Sequence, residues 1–276
     1  MRRVEAPDCP EVLAGEESLG ARERERAIAF FADEANRDRR FRFFSAYKHR
    51  DVCHALAAAF HGKCAYCESY YAATQGDEVD HYRPKGRIRT PTGTERPGYY
   101  WLASTWDNLL PSCSDCNRWR WKDDHEGARM LSGKAEWFPL ADEAARARRP
   151  GDEVHEDALL LHPYYDDPDE HLEFVDEGVV RSAPGRDGRP SARGEETIRV
   201  HGLRRHGLVT HRRTHLERVL KQLRGVLTAE RRAAENLDDE ALRMELEAQL
   251  TELRRFVDPT TPYSTMARQV IARWRP

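Results

Sequence analysis

The sequence predicts an α+β fold: a small metal-stapled unit with short strands, flanked at both ends by mostly helical extensions. Three observations carry this prediction. Two Cys-x-x-Cys pairs, Cys64/Cys67 and Cys113/Cys116, bracket a stretch rich in Tyr, Trp, Pro and Gly. That stretch has only short periodic runs, as expected where metal bonds replace part of an apolar core. Helical periodicity precedes the first pair and dominates from about residue 195 onward.

In chain order, residues 1–20 read as poorly ordered, and "ARERERAIAFFADEAN" (21–36) as a helix with an apolar patch at Ala27–Phe31. "RDVCHALAAAFHG" reads as a second helix that Gly62 stops. "EVDHY" is a strand, "RTPTGTERPG" a turn-rich loop, and "YYWLASTWDNLLPSC" an aromatic run ending in a Pro turn. "SDCNRWRWK" starts as a helix that Ser114 or Asp115 is placed to cap. "HLEFVDEGVVRSA" is a hairpin turning at Asp176-Glu177-Gly178, followed by a flexible basic loop, "PGRDGRPSARG". Leu216, Val219, Leu220, Leu223, Val226 and Leu227 mark one helical stripe, and a last helix is expected over Thr265–Trp274. The expected division is 1–61, helical; 62–140, the metal-stapled core; and 141–276, a β-hairpin with a helical region for packing or partner binding.

A chain of 276 residues with 39% apolar and 34% charged residues builds a core under a highly charged surface. The net charge of −3 excludes a polycation, so any nucleic-acid site is a local basic patch. No apolar run approaches the roughly 20 residues of a membrane span, and the N-terminus has no apolar secretory region, so a cytoplasmic, reducing location is expected. There, paired Cys-x-x-Cys motifs indicate metal before disulfide. Each pair holds two corners of a tetrahedron, and four thiolates make a closed structural Zn²⁺ site. Cys9 reads as a bystander and Cys53 as a small core residue. Such a staple draws the Asp80–His81 strand toward the helix after Cys113, which carries Asn117; Asn108, in "WDNLLP", lies between.

In this order of residues the chain resembles the HNH endonucleases of the zinc-stapled ββα-metal, treble-clef-like class. The matching residues are Cys64, Cys67, Asp80, His81, Asn108, Cys113, Cys116 and Asn117, with Asn117 making an HNN variant. "CAYCE", "DHYRPKG", "WFPL" and "LLLHPYYDDPDEHLEF" extend the resemblance over roughly residues 60–210. They are similar to the HNH nuclease subunit found beside retrons and in Septu-type anti-phage systems. The resemblance implies an SMC-like ATPase partner, and products with 5′-phosphate and 3′-hydroxyl ends.

Residue chemistry gives each position a role. A neutral imidazole takes a proton near pH 7, so His81 is the candidate general base. Asp80 and Asn117 offer oxygens to Mg²⁺ or Mn²⁺, although Asp80 should face away from His81 unless the strand is distorted. Asn108 is expected to tie the loop that aims His81. Eight cations and three acids between His81 and Lys122 give that stretch +5. Arg83, Lys85, Arg118 and Lys122 are the candidate phosphate contacts. Trp119 and Trp121 are expected in the core, stacking on bases being the rarer use. His201, His206, His211 and His215 have helical spacing but no accompanying carboxylates, so no second metal is expected. DNA is the favoured substrate. RNA cleavage by the same fold, or a zinc-stapled binding or adaptor module without catalysis, are the alternatives.

Overall fold

Helix α1 (Leu19–Phe31) begins where Ser18 Oγ accepts the Ala21 N–H, an N-cap that satisfies one of the free amides of the first turn. It ends at Ala32, short of the expected Asn36, and a separate 3-10 turn capped by Asp33 follows. Helix α2 (Arg50–Ala59) stops where His61 and Gly62 both take positive φ. The structure is a computed structural model. It describes the chain apart from residues 73, 74, 77, 186, 237, 275 and 276 and the side chain of Asp176.

Four two-stranded antiparallel sheets follow among the described residues. Strand β1 (Val79–His81) pairs with β4 (Leu109–Pro111), with His81 opposite Leu109. Between them lies the hairpin β2 (Ile88–Thr90) and β3 (Gly93–Glu95), where the sequence suggested only a loop. Helix α3 is a single turn, Ser114–Asn117, and Cys113 occupies its N-cap position without any side-chain cap bond. The helix expected to start in "SDCNRWRWK" does so but ends at Asn117, and Arg120–Asp123 is strand β5, paired with β6 (Arg129–Ser132). The Arg-Trp alternation that follows has the period-two pattern of a strand. The hairpin returns the chain at Gly133, whose φ is +108°. A Cβ there would lie 2.0 Å from the Arg118 carbonyl, so only glycine allows this approach. Lys134 N then donates to Cys116 O at 2.8 Å, laying the segment after β6 along α3.

The hairpin β7 (Leu172–Phe174) and β8 (Val180–Ser182) turns at Glu177 and Gly178, both at positive φ. In the basic loop after it, Arg186 lies outside the described residues. Helices α4 (Ala192–His201), α5 (His206–Glu235), α6 (Glu240–Val257) and α7 (Ser264–Trp274) complete the chain. The stripe on α5 is buried at Leu216, Val219, Leu223 and Val226, while Leu227 is exposed. One core cluster joins Met1, Phe60 and the four paired cysteines to Phe174, Leu216 and Met266.

The first twenty residues are ordered, contrary to expectation. Met1 is buried, and its ammonium lies 3.0 Å from Glu68 Oε1, supplying a cation to a buried carboxylate. Pro7 O accepts from Trp106 Nε1 at 2.7 Å. No helix among the described residues is long and apolar enough to cross a membrane.

Candidate active site and metal centre

One Cys-x-x-Cys turn precedes β1 and the other joins β4 to α3, so pairing of these strands brings the two turns together. Ala65 N donates to Pro111 O across the junction at 2.9 Å. The four buried Sγ atoms lie within 4.8 Å of one another, with Cys67 and Cys113 at 3.8 Å. A tetrahedron with Zn–S bonds of about 2.3 Å has edges of about 3.8 Å, so this donor set fits Zn²⁺. Sulfur hydrogen bonds from Cys113, Cys116 and Cys64 hold the Cys67 thiol well below its usual range, while burial and its sulfur neighbours push the Cys116 thiol up, so without a cation the cluster holds a shared negative charge rather than four thiolates. Arg205 aims Nη1 at Cys116 Sγ (3.6 Å) and Nη2 at Cys113 Sγ (3.8 Å). On α5, Arg212 is fully buried and within reach of the Cys67 charge. Its Nη1 donates to Leu203 O, but Nε and Nη2 have no hydrogen-bond partner among the described residues.

On β1, successive side chains meet different neighbours. Asp80 accepts from Tyr66 OH at 2.5 Å on Oδ2 and from Lys134 Nζ at 3.1 Å on Oδ1. Lys134 also donates to His81 O at 2.6 Å, and its side chain is wholly buried. The His81 ring lies 4.5 Å from the Tyr47 ring, edge on. Its Nε2 sits 2.9 Å from Ala103 O. A carbonyl only accepts, so Nε2 carries the proton and Nδ1 keeps its lone pair. Burial, then the Lys85 charge, pushes the His81 pKa well below the usual imidazole range. Lys85 Nζ is 3.2 Å from Nδ1 and 4.1 Å from the Tyr47 ring centroid. Burial lowers the Lys85 ammonium to about 7.

Asp80, His81, Lys85 and Asn117 border one cleft of about 800 Å³. Asn117 Nδ2 lies 3.5 Å from Glu78 Oε2, which directs the amide oxygen elsewhere. Asn108 uses its whole amide on backbone: Oδ1 accepts from Arg83 N (2.7 Å), and Nδ2 donates to Arg83 O and Leu102 O. It thereby fixes the turn immediately after His81.

The proposed phosphate contacts divide. Lys85 faces the cleft, and Arg118, paired with Glu78, borders an adjoining recess of about 480 Å³. Arg83 borders neither. Its Nε is 2.8 Å from Glu156, a carboxylate with no exposed side-chain area that requires a cation. Lys122 Nζ caps the carbonyls of Asp115 and Ser132. The tryptophans are not core residues: Trp119 stands in the recess under Arg89, and Trp121 is 60% exposed. His201 stacks on Tyr66 at 3.7 Å, and the paired cysteines are the one metal-type cluster of Cys, His, Asp and Glu among the described residues.

Sequence reasoning missed Lys134 and Tyr47, single residues with no motif around them, and Tyr66, which stands inside the first Cys-x-x-Cys turn but was passed over for the cysteines. It also missed Arg39, Arg40, Arg42 and Lys48 on the cleft wall, although "RDRRFRFF" carried a signal, cations interleaved with aromatics.

No family model matches the chain. It is 37% identical over 240 residues to the Septu protein PtuB of Bacillus mycoides (strain KBAB4), a match covering 82% of this chain and 75% of that protein. It is also 31% identical over 156 residues to the Septu protein PtuA of the same strain, which covers 55% of this chain and 19% of PtuA. With that identity and coverage to PtuB, added to the buried four-cysteine cluster and the cleft beside it, the chain belongs to the PtuB family of Septu proteins.

Proposed function

We propose that this chain is an HNH-type endonuclease that hydrolyses phosphodiester bonds of DNA, with His81 as general base. The observation that carries the reading is the tautomer of His81 at a cleft wall: Nε2–H donates to Ala103 O, so Nδ1 is the ring's acceptor, facing Lys85 Nζ at 3.2 Å, and serves as base when substrate phosphate draws that ammonium to itself. Burial and the Lys85 charge keep the imidazole neutral but lower its basicity, which the negative charge of a bound phosphate would raise again. Lys85, beside Nδ1, supplies positive charge for the phosphoryl oxygens. Asn108 holds the backbone that positions the base. In this reading β1, β4 and α3 form the ββα-metal core, and Cys64, Cys67, Cys113 and Cys116 hold structural zinc.

Asp80 and Asn117 fit a hard divalent cation by donor type. The amide oxygen of Asn117 is turned from Glu78, and a carboxylate has about four acceptor sites, of which Asp80 uses one on each oxygen. Mg²⁺ or Mn²⁺ bound there supplies Lewis-acid neutralisation of the leaving oxygen. Lys134 keeps the Asp80 carboxylate beside the His81 backbone.

Membership of the PtuB family supports a role as effector of a Septu-type anti-phage system, in some settings beside a retron, with a PtuA-like, SMC-like ATPase as partner. The test is cleavage of plasmid DNA, linear DNA and tRNA by the purified chain, with and without its partner, in Mg²⁺ and Mn²⁺. His81→Ala should lower the rate by at least about 100-fold, the lower end of general-base contributions, with zinc content unchanged. Cleavage by His81→Ala at the parent rate in every condition would refute the reading.

A further inference from the structure

We infer that residues 39–48 form a phosphate-binding strap, one wall of the cleft that holds a nucleic-acid backbone across from Lys85. The inference rests on the nuclease reading for the identity of its ligand, though not for its geometry. Arg39, Arg40, Arg42 and Lys48 all border the cleft and are exposed. Phe41, between two of the arginines, is buried against Phe30 (5.4 Å) and Phe44 (4.8 Å). A buried residue between two exposed ones, in a stretch without helix, turns Arg40 and Arg42 outward together.

The strap is held rigidly at its far end. Glu23, fully buried on α1, accepts from Ser45 N (2.8 Å), Ser45 Oγ (2.6 Å) and Ala46 N (3.1 Å), and from Ser104 Oγ. Tyr47, just beyond, meets the His81 ring, so the strap is registered directly on the candidate base.

The charges on the strap are unanswered. Elsewhere arginines of this chain meet carboxylates: Arg83–Glu156, Arg193–Asp166, Arg232–Glu245. None of Arg39, Arg40, Arg42 and Lys48 has a carboxylate within 4.0 Å among the described residues. The two acids that border the cleft are themselves neutralised, Asp80 by Lys134 and Glu136 by Arg87. Uncompensated cations gathered on a concave wall call for a polyanion, and a phosphodiester backbone is one that reaches His81.

The experiment is fluorescence anisotropy with the full chain carrying His81→Ala, so that the probe is not consumed. The probes are a fluorescein-labelled 30-nucleotide single-stranded DNA, the same sequence as duplex, and its RNA counterpart, titrated at several KCl concentrations. Arg40→Gln, Arg42→Gln and Lys48→Gln are added together. Losing three phosphate contacts should reduce the slope of log K against log[salt] by about 2 to 3 and weaken binding at least about tenfold at 0.1 M salt. The control triple, Arg218→Gln, Lys221→Gln and Arg224→Gln, removes the same charge from the exposed face of α5 and should change the slope by less than about 1. Arg42→Gln alone, with an expected slope change of about 0.8, serves if the triple loses its parent melting temperature.

Parent-like slopes in the strap variants, an equal loss in the α5 control, or no binding of any probe by the His81→Ala chain would each overturn the strap. The two proposals fail separately. Strap-dependent binding without cleavage under any metal sinks the nuclease reading and leaves the strap. His81-dependent cleavage with strap variants indistinguishable from parent in binding does the reverse.

Discussion

Replacing Lys134 by Met tests the arrangement around β1 most directly. The Lys134 side chain has no exposed area and that of Asp80 only 4%, so the pair sits away from screening solvent. Methionine keeps the length and bulk of the side chain and removes its charge. Asp80 is then a buried carboxylate held only by Tyr66, and the His81 carbonyl loses its donor. Breaking one partner of a buried pair costs about 3–5 kcal/mol. With an unfolding entropy of roughly 2.1 cal/mol/K per residue, a chain this long melts about 5–9 °C lower if it unfolds as one unit. Lys134→Met combined with Asp80→Asn should recover most of that loss, because no unpaired charge remains. Mg²⁺ should narrow the deficit of the single variant, since a cation on Asp80 replaces the ammonium. Differential scanning calorimetry with and without Mg²⁺ reads all three. A single variant melting within about 1 °C of parent would refute the argument, as would a double variant no more stable than the single.

Two further predictions concern the metal and the buried histidines. The purified chain should contain about one zinc per molecule, measured by emission spectroscopy. Cys113→Ser should lose it together with several degrees of thermal stability, and parent-like stability without metal would exclude a structural role. His162 and His201 are buried neutral, with pKa values lowered by burial to about 4 and about 3. Both folded values lie below the unfolded value near 6.5, so their contribution is complete above that pH and falls as the solution becomes more acidic. Between about pH 6 and pH 4 each costs roughly 1.4 kcal/mol per pH unit. His162→Gln should flatten the slope by one such share in urea titrations. The difference between parent and variant isolates this group from acid loss of the metal, and identical slopes would show that His162 does not titrate on unfolding.

What was legible in the sequence was local. The four-cysteine cluster could be read because two-residue knuckles impose their own geometry, and the 172–182 hairpin because two short runs flank Asp176-Glu177-Gly178, where the glycine tolerates positive φ. Other assignments needed partners distant in the chain. Arg83 looked free until Glu156, 73 residues later, was placed against it. The Arg-Trp run after Cys116 was placed on a helix because Ser114 and Asp115 could cap one, although its alternation was that of a strand, and Gly133 decides the matter by approaching Arg118. Lys134 had no motif to announce it, because its importance comes from one contact across β1. The segment 39–48 carried a compositional signal, but its placement depends on bonds that Glu23 accepts and on the Tyr47 ring against His81.

Arg205 against the cysteines, and the buried Arg212 within reach of the Cys67 charge, would tie metal occupancy to the architecture of the chain. A zinc ion on four thiolates has a net charge of 2−, and Arg205 and the buried Arg212 together carry 2+. Occupied, the centre is electroneutral as a unit. Emptied, with its sulfurs reprotonated, it would leave Arg205 to Asp115, 3.8 Å away, and the buried Arg212 with Nε and Nη2 unpartnered among the described residues, a state that protein interiors tolerate poorly. Relief comes by moving α5 and the turn before it away from the cysteine turns, because those are the elements that carry the arginines. Zinc held there would act as a thermodynamic latch between the C-terminal helices and the strand that carries His81, and metal starvation would disengage the two.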